Sequence, residues 1–321
     1  MAEVFGEPDL ELRTVLALAA QGWPVVMPDY PGFVDGSLAT GYMFAEDEAY
    51  ALLDAPHAMQ KLLGEARPKV VMVGHSQGGH GVLSAQAYAQ RYSTAGTLAG
   101  VVALAPFWAP ARTFGIILAQ YPVVDPQNWY VVNTAIEYFY THAELYEGAG
   151  AGLKLFNIAP GQLQASDVTP LLSSCNFAPD LSPLTHVDTF ISPESQAVAA
   201  CAALGQCNSP AAGVWAPRMR ADRPALNPRG APVVVWQGGA DAVVPSAISG
   251  CANDKLTSDL VVPGATASLQ ICGDQDAQHE SVENRNAAWV IQWIKARNSG
   301  GVEPNSCTPL SGLGCEVMNI D

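Results

Sequence analysis

The stretch VMVGHSQGGHGVL, residues 71–83, constrains this chain more than any other. An apolar run from Val70 to Val73 leads into Gly74-His75-Ser76-Gln77-Gly78, a G-x-S-x-G pentad. The apolar run fits a parallel strand covered on both faces. The stretch from Gly78 to Tyr92 fits a helix carrying Val82, Ala85 and Ala89 on one side. A strand that turns directly into a helix strains the residue at its tip and demands small neighbours; Gly74, Gly78 and Gly79 are expected to supply that space. A serine in a glycine-rich loop would give the same pentad. The order strand, tight turn, helix makes Ser76 a candidate nucleophile.

The surrounding pattern places that turn in an α/β architecture. Asp9 and Gly22 bracket a helix with Leu12, Val15, Leu16 and Ala19 as its apolar positions. WPVVMPDY (23–30) reads as a strand ending in a Pro/Gly turn, and 44–63 as a helix that contains Pro56. After the pentad and its helix comes a second apolar strand, LAGVVALAP (98–106). PVVVWQGGADAVVP (232–245) is a strand and loop, followed by a helix to about Leu256. A strand near ASLQIC and a last helix, SVENRNAAWVIQWIKARN, complete the series. Strands alternating with helices imply a mostly parallel sheet.

The alternation pauses between Phe107 and Arg229. That region holds helical stretches, RTFGIILAQ and NWYVVNTAIEYFYTHAEL, then a long Pro-, Ser- and Cys-rich segment. The expected organisation is a core made of 1–106 and 230–300, a helical cap over 107–229, and a loop-like tail over 301–321. Most cap aromatics fit a packed helical subdomain. Phe107 and Trp108, together with Tyr30 and His75 near the turn, are candidate substrate contacts, because an insertion here overlies the strand ends where α/β sheets bind ligands.

A serine nucleophile needs a base, and the base needs an orienting carboxylate. Of the six histidines, His142, His186 and His279 follow the pentad at useful separations. The first two fall in the proposed insertion. His279 lies between the last strand and the last helix, where the base belongs. Asp241 follows the VVVWQGG strand and is the first candidate for the acid; Asp274 and Asp276, a few residues from His279, are rivals. His75 and His80 are expected to pack around the turn.

Together WPVVMPDYPGF, GYMFAEDEAYALLDAPHAM, GHSQGGH, VVVWQGGADAVVP and QHESVEN resemble the secretory lipase family, the lipase A-like branch of the α/β-hydrolases. The resemblance covers most of residues 10–298 and implies an α/β-hydrolase fold with a helical cap between nucleophile and acid. It implies hydrolysis of carboxylic esters by Ser76, Asp241 and His279, with the Gln77 backbone N–H and Asp29 as the oxyanion hole. It implies no metal or organic cofactor. The substrate expected is a small-molecule or lipid ester, with transient contact at a lipid interface. The same triad would serve acyl transfer, or polyester or peptide cleavage; a non-catalytic binding protein on this fold is the reading from another class. Such a sheet has further strands before WPVVMPDY, one of them beside the pentad's strand. The short MAEVFGEP segment is too broken to supply it. The expectation is therefore a natural start upstream, with extra strands and a signal peptide.

Charge narrows the partners. Thirty acidic residues against 15 basic give a net charge of −15, which disfavours nucleic acid and anionic membrane surfaces. Seven cysteines occur, without C-x-x-C or zinc spacing. Cys175, Cys201, Cys207, Cys251, Cys272, Cys307 and Cys315 are read as disulfide candidates, with Cys251–Cys272 and Cys307–Cys315 the pairs expected. Disulfides imply an oxidising compartment, hence a secreted or periplasmic protein.

Overall fold

The computed structural model describes residues 10–32, 40–66, 68–108, 129–148, 150–152, 201, 210–311 and 315. Among these residues four strands form one parallel sheet in sequence order: β1 (Lys69–His75), β2 (Thr97–Leu104), β3 (Val233–Gly238) and β4 (Leu269–Asp274). Parallel neighbours cannot be joined by a hairpin, so helices carry the crossovers. α1 (Leu10–Ala19) and α2 (Ala45–Leu63) precede β1, and α3 (Gln77–Tyr88) links β1 to β2. α4 (Trp129–Glu147) and α5 (Pro210–Ala221) lie in the long excursion between β2 and β3. α6 (Ser246–Leu260) links β3 to β4, and α7 (Ser281–Ser299) follows β4.

Alternation along β2 and β3 sends apolar side chains to both faces of the sheet. Val101, Ala103, Val233 and Val235 pack with Leu53 of α2, Val82 and Leu83 of α3, and Leu256 and Leu260 of α6. Val102, Leu104, Val234 and Trp236 pack on the other face with Val290, Trp293 and Ile294 of α7. Every residue of β3 is buried, which explains why VVVW reads as a continuous apolar run rather than an alternating one. Gly100 of β2 leaves room for the Trp293 ring, which would lie 2.6 Å from a Cβ at that position. Truncating a side chain such as Leu256 to Ala would cost about 2–5 kcal/mol.

Helix ends follow their sequence signals. Glu46, Asp47 and Glu48 crowd the first turn of α2, where the helix dipole favours negative charge. Gly64 and Gly300 close α2 and α7 in the left-handed region that glycine adopts without strain.

Two expectations are corrected. Residues 23–30 form no strand. A strand exists through its ladder, and among the described residues β1 pairs with β2 alone; Trp23 instead packs on the α7 face while Val26 and Met27 are exposed. The segment before β3 contains α5. Its two prolines, Pro210 and Pro217, hide the helical period, yet Trp215 and Met219 are buried as one face. The cysteine pairing is crossed: the disulfides are Cys272–Cys307 and Cys251–Cys315. The tail runs along β4, where the Gly273 N–H donates to the Thr308 carbonyl at 2.8 Å, so Cys307 meets β4 before the chain reaches Cys251 of α6. Cys201 is also disulfide-bonded. Asp9, the helix expected in RTFGIILAQ, His186, Cys175 and Cys207 lie outside the described residues. Among those described, no helix is long and apolar enough to cross a membrane.

Candidate active site

β1 ends at His75 and α3 begins at Gln77, so Ser76 alone makes the turn. Its φ of 53° and ψ of −114° lie in a region that costs a non-glycine residue about 1–3 kcal/mol. The turn is held by its neighbours. Ser76 N–H donates to the Leu104 carbonyl at 2.9 Å, and His80 N–H donates to the Ser76 carbonyl at 3.1 Å. A Cβ at Gly74 would overlap the Gly78 carbonyl, and one at Gly79 would lie 2.9 Å from Pro106. Gly78 was expected to be needed for space, but a Cβ there would meet nothing within 4 Å; close backbone approach falls on Gly74 and Gly79.

The loops after β3 and β4 meet backbone to backbone. The absent side chain of Gly238 admits the Ala277 carbonyl, and a Cβ at Gly239 would lie 2.5 Å from the Gln275 carbonyl. Gly239 N–H donates to the Asp274 carbonyl at 2.9 Å and Ala240 N–H to the Ala277 carbonyl at 3.0 Å. This contact carries Asp241 to His279. Asp241 Oδ1 accepts from the Val243 and Val244 N–H groups at 2.9 and 2.7 Å, which fixes the carboxylate. Its Oδ2 accepts from His279 Nδ1 at 2.8 Å. A carboxylate only accepts, so Nδ1 carries a proton, and in the neutral tautomer this selects Nε2 is the acceptor. Both side chains are buried.

His279 lies beside the Ser76 turn. The His75 ring is 4.6 Å from the His279 ring, and His75 Nε2 donates to the His279 carbonyl at 2.8 Å. Burial, reinforced by the neighbouring His279, pulls the His75 pKa down to about 4, so this ring is a neutral donor. The structure thus joins Asp241 to His279, and His279 to His75, the residue before Ser76, beyond the C-terminal ends of β1, β3 and β4, where open α/β sheets bind ligands.

A family model described as the alpha/beta hydrolase family matches residues 3–275. The chain belongs to that family. Solved structures share the fold. Candida antarctica lipase A in its closed state aligns at a TM-score of 0.59 and 14% identity, covering 87% of this chain and 60% of the lipase. A rice cell wall degrading esterase from Xanthomonas oryzae aligns at 0.56 and 15% identity, covering 80% of this chain and 66% of that one. This chain therefore spans about three fifths of the length of the lipase. No curated protein sequence matches significantly.

Within this α/β-hydrolase, the rival carboxylates are otherwise engaged. Asp274 accepts from Arg285 Nε and Nη2 at 2.7 and 3.1 Å, which holds its carboxyl below the ordinary range. Asp276 is 86% exposed. Phe107 and Trp108 are buried, with Trp108 in the core against His80. Tyr30 is half-buried, and its hydroxyl occupies the space that a Cβ at Gly81 of α3 would take. The Asp29–Tyr30 segment is thereby brought beside the helix that begins at Gln77. As the first residue of α3, Gln77 has no carbonyl one turn earlier in the helix for its backbone N–H.

Sequence reasoning missed a buried network behind the turn. Glu48 of α2 is fully buried; its Oε1 accepts from Gln77 Nε2 at 2.9 Å and from the Met43 N–H at 3.0 Å. Its Oε2 lies 2.5 Å from His80 Nδ1, and His80 Nε2 donates to the Asp222 carbonyl at 2.6 Å. Asp222 Oδ2 in turn accepts from Tyr138 at 2.5 Å and meets His142 Nε2 at 2.8 Å. Burial alone would push the His80 pKa down; Glu48 and the Asp222 carbonyl outweigh it and hold it above the ordinary value. The only local signal was a histidine four residues after the serine. Its partners lie 32 and 142 residues away in sequence.

Proposed function

We propose that this α/β-hydrolase is a serine carboxylic ester hydrolase of the lipase and esterase class. The observation that carries the reading is the Asp241–His279 pair, held against the strained turn at Ser76. In the proposed reaction Ser76 Oγ attacks the ester carbonyl carbon and gives its proton to His279 Nε2. Asp241 keeps the ring oriented and stabilises its charged form. The Gln77 backbone N–H and Asp29 stabilise the developing oxyanion. The tetrahedral intermediate expels the alcohol, which takes the proton from His279, leaving an acyl-serine. Water, deprotonated by His279, then releases the acid and restores Ser76.

The preferred substrates are neutral esters, since a net charge of −15 repels acidic ones. The lipase and esterase neighbours support the same class. Work in an oxidising compartment, and hence secretion, is supported by the Cys251–Cys315 and Cys272–Cys307 disulfides.

The test is covalent labelling by a fluorophosphonate, with hydrolysis of p-nitrophenyl butyrate measured in parallel. The wild type should label at one site and turn over. Ser76→Ala should do neither while retaining its far-UV circular dichroism. A folded wild type that neither labels nor hydrolyses would make the chain a non-catalytic member of the family.

A further inference from the structure

The geometry points to Glu48 and His80 as positioning residues of the proposed esterase reaction: through the Gln77 side chain they hold the first turn of α3, and with it the Gln77 backbone N–H, in register with Ser76. This role rests on the proposed hydrolase reading.

Proton counting shows how the device is built. The Asp222 carbonyl can only accept, so His80 Nε2 carries a proton and donates it there at 2.6 Å. His80 Nδ1 therefore faces Glu48 Oε2 at 2.5 Å with a single proton between them. Whichever partner carries it, the pair is fixed as one hydrogen-bonded unit. The other carboxyl oxygen, Oε1, remains an acceptor and is taken by two donors. One is Gln77 Nε2 at 2.9 Å; the other is the N–H of Met43, whose φ of 57° is also left-handed.

The same arrangement recurs one step outward. His142 Nδ1 donates to the Tyr138 carbonyl at 2.7 Å, so its Nε2 shares one proton with Asp222 Oδ2 at 2.8 Å. The unit thus joins α2, the start of α3, α4 and the residue after α5. A buried ion pair adds little net stability over a well-packed apolar set. What it supplies is direction. Gln77 sits at a helix start, preceded by a strained residue, where backbone position is least constrained by the helix's own hydrogen bonds. Its side chain is anchored to a fully buried carboxylate on a different helix. An oxyanion donor contributes about 10²–10³ in turnover when placed correctly, and a displacement of about 1 Å can cost on the order of 10².

Three variants test the role: Gln77→Ala, Glu48→Ala and Glu48→Gln. Active sites are counted by end-point fluorophosphonate labelling, and kcat and KM for p-nitrophenyl butyrate are expressed per labelled site. Gln77→Ala keeps the backbone N–H and removes only the anchor. It should lower kcat per site about tenfold with KM unchanged. Glu48→Ala should lower it by about 10- to 100-fold. Glu48→Gln can still accept from Gln77 and Met43 while donating to a neutral His80 Nδ1, so it should recover kcat to within about threefold of wild type. A purely structural role would lower the number of labelled sites and leave kcat per site unchanged. That result for Gln77→Ala, whose Glu48–His80 pair stays intact, would overturn the inference even if Glu48→Ala fails to fold. A wild type that does not label would instead refute the hydrolase reading on which the inference rests.

Discussion

His279 Nδ1 and Asp241 Oδ2 meet at 2.8 Å across 38 residues of sequence because two successive glycines, Gly238 and Gly239, let their loops touch backbone to backbone. With both Asp241 oxygens accounted for, the consequence for catalysis is specific. Asp241→Asn would present an amide to Nδ1 and favour the other tautomer, with the proton on Nε2 where the Ser76 proton must go. Turnover of p-nitrophenyl butyrate should fall about 10⁴-fold. Asp274→Asn should cost far less, since that carboxylate is held by Arg285. A crippled Asp274→Asn beside an active Asp241→Asn would reverse the assignment of the acid.

Ser76 offers a stability test independent of activity. An Ala→Gly exchange at an ordinary position destabilises by about 0.5–1 kcal/mol. At φ 53° and ψ −114° the side chain's strain, about 1–3 kcal/mol, is relieved by glycine. Ser76→Gly should therefore melt no lower than Ser76→Ala. A glycine variant that melts several degrees lower would show that the turn is unstrained.

His75 gives the fold a pH dependence. Its folded pKa, about 4, lies below the ordinary value of 6.5, so between these limits the unfolded chain binds a proton that the folded chain does not. The stability is fully present above about pH 6.5 and is lost as pH falls towards 4, about 3 kcal/mol in all. His75→Asn keeps a donor for the His279 carbonyl and does not titrate. Urea midpoints measured from pH 7 to pH 4 should fall more steeply for wild type than for this variant, and parallel slopes would count against the assignment.

The disulfides close loops of 64 and 35 residues. By loop entropy each contributes about 4 kcal/mol. Peptide mapping without reduction should recover Cys251 linked to Cys315 and Cys272 linked to Cys307. Replacing Cys272 and Cys307 together by serine should lower the melting temperature by several degrees. Recovery of a Cys251–Cys272 peptide would restore the pairing expected from sequence.

What was legible in the sequence was local or topological. VVMVGHSQGGH encodes strand, turn and helix within a dozen residues, and chain order alone singled out Asp241 and His279 as acid and base candidates. What was not legible depended on contacts between distant segments. Periodicity suggested a strand at 23–30, but no ladder partner forms it among the described residues. The cysteines Cys307 and Cys315 are neighbours in sequence, yet the tail passes β4 before it reaches α6. Glu48 reads as one acidic residue among three at a helix start; only the fold buries it against His80.

Substrate size is the remaining expectation, and the aromatic side chains near the proposed cap bear on it. Phe139 packs on Trp215 at 5.2 Å, Phe44 on Tyr146 at 5.4 Å, and Tyr138 on His142 at 3.8 Å, so these rings hold one another. They stiffen the floor of α4 and α5 rather than each offering a free face. An acyl chain laid against the proposed cap gains about 0.8 kcal/mol per buried methylene, close to fourfold in affinity. Specificity constants should therefore rise from acetyl to at least hexanoyl p-nitrophenyl esters and then level off once the apolar surface is filled. The series is to be measured below the solubility limit of the longest ester, with activity expressed per fluorophosphonate-labelled site. A steady decline from acetyl onward would mean that the cap closes the acyl site, and would make the enzyme a short-chain esterase rather than a lipase.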